Sequence, residues 1–184
     1  MRLIVICGAT ATGKSDLAVA LAQKIDAEII NADSMQLYRG MDIGTAKLTE
    51  SERAGIAQHL LDVLEVSEDA TVAWYQGLAR AAVAEIHNRG KHAIIVGGTG
   101  LYIKSILDDL NFPDTDAAVR QKLTEEAKEF GIVPLFQRLE LLDPAAAAAI
   151  DRQNERRVIR ALEVIEITGK PFTANLPREA STRY

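Results

Sequence analysis

The chain opens on an unbroken apolar run, Leu3-Ile4-Val5-Ile6-Cys7, rich in β-branched residues, the pattern of a strand covered on both faces. Behind it Leu17, Leu21 and Ile25 recur every four residues, with Ala18 and Ala22 alongside, which predicts one face of a helix. "AEIINADS" reads as a second short strand ending near Asp33, and Tyr38 to Thr49 has no period and reads as a loop. "HLLDVLEV", from His59, is compatible with a further strand. Trp74, Leu78, Ala82 and Ile86 mark a second helix, closed by Gly90 as a C-terminal cap. "HAIIV" is another strand, followed at once by "GGTG" and a helical "LYIKSIL". Strand, helix, strand, helix, strand implies parallel pairing through right-handed crossovers.

Beyond "NFPDTD" the periodicity changes. Residues 116–168 read as four helices without a strand: "DAAVRQKLTEEAKEF", "VPLFQRLELLD", "PAAAAAI" with Pro144 at its first position, and "ERRVIRALEVIEI". The expected organisation is a core over 1–112, a helical segment over 113–170 and an extended or poorly ordered tail over 171–184.

Composition adds exclusions. At 184 residues the chain can bury a core without staples, and 48% hydrophobic against 5% aromatic content suits an α/β protein built from aliphatic side chains. A net charge of −5 argues against a nucleic-acid surface spread over the whole protein while allowing a local basic patch. The single cysteine, Cys7, cannot form an internal disulfide and reads as a small core residue; the apolar opening is too short for a secretion signal or membrane span. A soluble, cytoplasmic protein is the expectation.

The candidate chemistry begins at "GATATGKS", Gly8-Ala9-Thr10-Ala11-Thr12-Gly13-Lys14-Ser15, a Gly-x4-Gly-Lys-Ser phosphate loop between a strand and a helix. Loop amides, the helix N-terminus and Lys14 would cradle a diphosphate or nucleotide, with the Ser15 hydroxyl available to Mg²⁺. The predicted fold class is therefore α/β, a P-loop NTPase-like parallel sheet with flanking helices plus a mostly helical C-terminal segment. "HAIIV" closes on Gly97-Gly98-Thr99-Gly100 with no aspartate, and no Asn-Lys-x-Asp base reader follows. A nucleotide hydrolase is thereby weakened; a small-molecule kinase, or an enzyme that grips a leaving diphosphate, remains. Asp33, at the carboxyl end of the second strand, should face the same crevice, either as a proton acceptor or as the cap of a helix starting at Ser34.

"GATATGKS", "NADSMQLYRGMDIGTAK", "QHLLDV", "VGGTGLYIKSIL", "VRQKL", "LLDPAAAAAI" and "RRVIRALEVIEITGKP", in this order, resemble the tRNA dimethylallyltransferase (tRNA isopentenyltransferase) family over nearly the whole chain. The block "DSMQLYRGMDIGTAK" is the specific one. The resemblance implies transfer of a dimethylallyl group from dimethylallyl diphosphate to the exocyclic amine of an adenine beside the tRNA anticodon. Thr10 to Ser15 would line the diphosphate site with Mg²⁺ as counter-charge, Thr10 and Lys14 would assist departure, and Asp33 would be the base. Ser34, Met35 and Gln36 would lie against the adenine, while Thr99 and Arg120 match positions contacting tRNA. On spacing alone Arg152, Arg156, Arg157 and Arg160 read better as a solvated helix face paired with Glu155 and Glu163; the resemblance reverses this, matching Arg156, Arg157 and Arg160 to a basic helix left free by a buried face of Val158, Ala161, Leu162 and Ile165.

Ala9 stands where the family usually has proline, Ser15 where threonine is common, and Gln58 where histidine is frequent. Family members continue further, so the resemblance implies that this sequence lacks their C-terminal part. The implied partners are the tRNA anticodon stem-loop and dimethylallyl diphosphate, with no membrane and a monomeric state. The alternatives are prenylation of free adenine nucleotides, a P-loop kinase, or a non-catalytic phosphate-binding piece. His59, His87 and His92 lack ligand spacing, and Trp74 reads as helix packing.

Overall fold

A computed structural model describes residues 1–110, 112–175 and 183–184. The chain divides into two compact units, one holding residues 1–109 with Arg183 and Tyr184, the other the described residues of 110–179.

The first unit is built on four parallel strands, β1 (Leu3–Cys7), β2 (Ala27–Asn31), β3 (Gln58–His59) and β4 (His92–Gly97), in spatial order β1-β4-β2-β3. Helices α1 (Lys14–Ile25), α2 (Val72–Asn88) and α3 (Gly100–Leu107) complete it. The apolar runs explain the sheet: all five residues of β2 are buried, as are five of the six in β4. β1 is different from the sequence expectation. Among the described residues it is an edge strand paired only with β4, so its residues are half-buried rather than covered on both faces, and Cys7 is exposed at its end instead of lying in the core.

The two helical faces are also rotated from the expected ones. α1 buries Ala18, Val19 and Ala22 against β2 and β4, with Leu21 and Ile25 at the margin and Leu17 exposed. Small side chains let the helix approach the sheet, which pushes the larger Leu17 outward. α2 buries Tyr75, Ala79, Ala82, Val83 and Ile86, leaving Trp74 partly packed and Leu78 exposed. It ends as expected, Gly90 adopting φ 78° while Lys91 N–H reaches Ile86 O at 3.2 Å.

"HLLDVLEV" is not a strand. Only Gln58–His59 pairs with β2; Leu60 and Asp62 then enter the left-handed region at φ 61° and 56°, and Leu64 makes an isolated bridge to Tyr38. The aperiodic stretch 38–49 is fastened by Lys47, which is buried and donates to Tyr38 O (2.8 Å), Asp42 (2.7 Å) and Asp62 (2.6 Å). Burial alone would lower the lysine pKa; the two carboxylates outweigh it and hold it above the usual value.

The second unit packs α4 (Ala117–Phe130), α5 (Ile132–Leu142), α6 (Pro144–Ala149) and α7 (Glu155–Thr168) around Leu123, Leu135, Leu139, Val158 and Leu162. Asp116, Asp143 and Asn154 cap α4, α6 and α7. Within the tail expected to be extended, Phe172–Asn175 forms a short 3-10 helix, and Thr173 bonds through its N–H and hydroxyl to Asp143; residues 176–182 lie outside the described residues.

Candidate functional site

The phosphate loop follows β1 directly. Gly13 sits at φ 75° and caps α1, and Ala11 is left-handed at φ 61°, so the chain folds back on itself before entering the helix. Thr12 Oγ1 donates to Ala9 O at 2.9 Å, and Lys14 Nζ donates to the same carbonyl. Thr10 and Ala11 form the turn, and the amides of Lys14 and Ser15 open α1, where the first N–H groups of a helix have no intrahelical acceptor. Helix-start amides, a glycine turn and a lysine meet in one stretch, the electrostatic complement of a phosphate.

What brings Asp33 to the same edge is the end of β4. Cys7 pairs with Gly97 and Asn31 with Val96, so the connections leaving β1 and β2 emerge on either side of Gly97-Gly98. A Cβ on Gly97 would stand 2.2 Å from Ala32 O, so only glycine fits; one on Gly98 would stand 3.3 Å from Gly8 O. Thr99 continues the junction, its N–H donating to Ala32 O at 3.2 Å and its hydroxyl accepting Ser34 N–H at 3.3 Å. Phosphate loop, "GGTG" and "NADS" are therefore contiguous at the carboxyl edge of the sheet, where parallel sheets bind ligands.

Asp33 is half-buried there. Its Oδ1 accepts Met35 N–H at 2.9 Å, an Asx turn rather than a helix cap, because residues 34–37 bend and turn without forming a helix. Gln36, expected against a base, donates through Nε2 to Thr45 O at 2.9 Å; Met35 is exposed. A small cleft between α1 and β2 is lined by Ser15, Asn31, Gln36, Gln58 and Leu61, among others. Among the described residues no cluster of three or more His, Cys, Asp or Glu side chains is arranged to hold a metal ion.

The arginines lie in the second unit and divide into two sets. Arg156 and Arg157 are exposed and make no side-chain pair among the described residues. Arg160 is not free, contrary to the sequence expectation: it donates to Pro113 O (2.8 Å), Asp114 O (3.2 Å) and Glu163 (2.9 Å). Arg120 donates to the same carboxylate at 2.9 Å. Glu163, expected as a solvated partner, is fully buried. Burial would raise its pKa, but hydrogen bonds from Arg160, Arg120 and Asp116 N–H prevail and hold it below the ordinary carboxylate value.

Sequence reading passed over Asn31, Tyr75, Lys47 and Gly97. Asn31 had a signal, an amide ending an otherwise apolar buried strand, and Lys47 had one, a cation placed between two aspartates in sequence.

A family model described as IPP transferase matches residues 36–184. The tRNA dimethylallyltransferase of Thermobifida fusca is 57% identical over 99% of this chain and 58% of its own length. That of Salinispora arenicola is 57% identical over 95% of this chain and 51% of its own. The full-length tRNA isopentenylpyrophosphate transferase of Bacillus halodurans superposes with TM-score 0.59 at 45% identity, over 92% of this chain and 57% of that one. A eukaryotic dimethylallyltransferase acting on tRNA superposes with TM-score 0.80 at 32% identity, over 95% and 44%. The chain thus spans about half the length of the relatives it matches.

Proposed function

The chain belongs to the IPP transferase family, and from that premise we propose that it transfers a dimethylallyl group from dimethylallyl diphosphate to the exocyclic amine of the adenine beside a tRNA anticodon. The observation that supports the reading is the junction at the carboxyl edge of the sheet, where Gly98 lies against Gly8 and Thr99 ties Ala32 to Ser34, so that the loop after β1 and the segment carrying Asp33 flank the same end of β4.

An adenine amine is a weak nucleophile, so transfer leans on cation character in the allyl group and on charge building at the departing diphosphate. Loop amides and Lys14, released from Ala9 O, meet that charge where it develops, and Thr10 donates to the bridging oxygen. Asp33 accepts the proton that the amine sheds as the new C–N bond forms. Ser34, Met35, Gln36 and Thr99 border the base, and Arg156 and Arg157 supply charge toward the tRNA backbone, while Arg120 and Arg160 stay committed to Glu163.

One hydroxyl beside a phosphate cradle suits Mg²⁺, which takes most of its ligands from phosphate oxygens and water; Ser15 would hold it, and it would supply charge neutralisation. The reading includes a monomer acting in the cytoplasm; no helix among the described residues is long and apolar enough to cross a membrane.

The test is incubation with labelled dimethylallyl diphosphate and an anticodon stem-loop, with AMP in a parallel arm and γ-labelled ATP in a third. Label in the stem-loop is the expected result. Label in AMP alone moves the reading to free-nucleotide prenylation, and phosphoryl transfer from ATP to a small molecule moves it to a kinase.

A further inference from the structure

Asn31 is the last residue of β2 and is 5% exposed, although its side chain is a primary amide. A buried amide must find partners for its oxygen and its N–H groups. The oxygen accepts Asp33 N–H at 3.0 Å, and the nitrogen donates to Asp33 O and Leu60 O, each at 3.0 Å. One side chain therefore holds both peptide groups flanking the Asp33 Cα. The Leu60 bond fastens that hold to the bend after β3, where Leu60 sits at φ 61°. Asn31 is fixed in turn from the opposite side: the phenol of Tyr75 donates to Asn31 O at 2.7 Å, and the fully buried Tyr75 ring stacks on Tyr102 with centroids 4.0 Å apart. The Asp33 carboxylate then commits Oδ1 to Met35 N–H, and Oδ2 takes no partner among the described residues.

Building on the role of Asp33 proposed above, we infer that Asn31 is the positioning residue of the proton-accepting carboxylate, with Tyr75 holding Asn31 in place. A base acts only within hydrogen-bond reach of its proton, and a misplacement of about 1 Å caused by a residue that never touches substrate costs on the order of 100-fold. A neutral amide is suited to the task. It clamps a backbone without adding a charge beside Asp33, whereas an aspartate at this position would face two carbonyls and set a like charge next to the base. A serine is too short to reach Asp33 and Leu60 together.

Asn31→Ser and Tyr75→Phe, prepared in this chain beside Asp33→Asn, test the inference through transfer kinetics and amide hydrogen exchange. Asn31→Ser should lower kcat about tenfold or more while KM for dimethylallyl diphosphate stays within about twofold, and Tyr75→Phe, which keeps the ring stack, should do the same to a smaller degree. Added to Asp33→Asn, Asn31→Ser should cost nothing further, because its effect runs through that carboxylate. Exchange of the Met35 amide, which reports the Asp33 Oδ1 bond, should quicken about tenfold while Ile94 and Ile95 in β4 keep their protection. An unchanged kcat, an unaltered Met35 amide, or equal quickening in β4 overturns the inference. An Asp33→Asn protein with full transfer removes the base assignment and the inference with it; an inactive Asp33→Asn beside a fully active Asn31→Ser removes the inference alone.

Discussion

Asp33 has one oxygen held by Met35 N–H and a main chain held by Asn31, so its position is set before any substrate arrives. Asn in its place keeps the shape and the Met35 bond but cannot take a proton. Asp33→Asn should therefore bind dimethylallyl diphosphate normally, by calorimetry, while transfer falls by several orders of magnitude, each tenfold being about 1.4 kcal/mol of barrier. Gly97 is the other single residue on which the site depends. A methyl group there would meet Ala32 O at 2.2 Å, and the backbone cannot yield without parting the ends of β4 and β2. Gly97→Ala should destabilise the chain by roughly 1–3 kcal/mol in urea titration, and it should loosen Asp33 and the phosphate loop together. Asp33 was open to suspicion in the sequence, but the dependence on Gly97 was not: "GGTG" reads only as a flexible turn until the register of β4 with β2 is known.

At the scale of elements, α7 carries both a packing face and a charged face, and the structure divides the charged one. Arg160 and Arg120 converge on the buried Glu163, which also accepts Asp116 N–H at 3.0 Å, so these cations bind α7, the start of α4 and residues 113–114 into one network. Arg156 and Arg157 have no such duty. Arg156→Ala with Arg157→Ala should weaken tRNA binding and lessen its logarithmic salt slope by about 1–2, as the loss of phosphate contacts does, with the unfolding midpoint unmoved. Arg160→Ala should instead lower stability by about 3 kcal/mol, because it strips a partner from a buried carboxylate. A salt slope that survives the double substitution would place the tRNA contact elsewhere. The helix was legible in sequence because Val158, Ala161 and Leu162 recur at its period; the fate of each arginine was not, since spacing cannot tell a solvated carboxylate from a buried one.

At the scale of the whole molecule, three buried carboxylates among the described residues govern the response to acid. Glu28, on β2, is held below its ordinary pKa by hydrogen bonds from Arg89, opposed by burial and aided by His59; Asp143 and Glu163 are opposed by burial and lowered by their hydrogen bonds. A carboxylate with a depressed folded-state pKa gives its full stabilisation above its ordinary value, 4.5 for Glu and 3.8 for Asp, and loses it as pH falls through the depressed one. Thermal unfolding should thus be flat toward neutrality and its midpoint should drop as the solution is taken below about pH 4.5. Glu163→Gln should shallow that drop, and a midpoint indifferent to acid would contradict these networks.

The sequence by itself determined the strand and helix alternation, the Gly-x4-Gly-Lys-Ser turn between β1 and α1, and the family, because apolar period and short motifs are local properties that the backbone obeys wherever it lies. Only the tertiary structure decided that β1 is an edge, that Cys7 and Leu17 face solvent, that "HLLDVLEV" bends after two paired residues, and that Arg160 answers to Glu163. Those outcomes depend on which residues meet across long stretches of chain. A buried polar atom reveals its purpose only through its partners, as Asn31 does between Asp33, Leu60 and Tyr75.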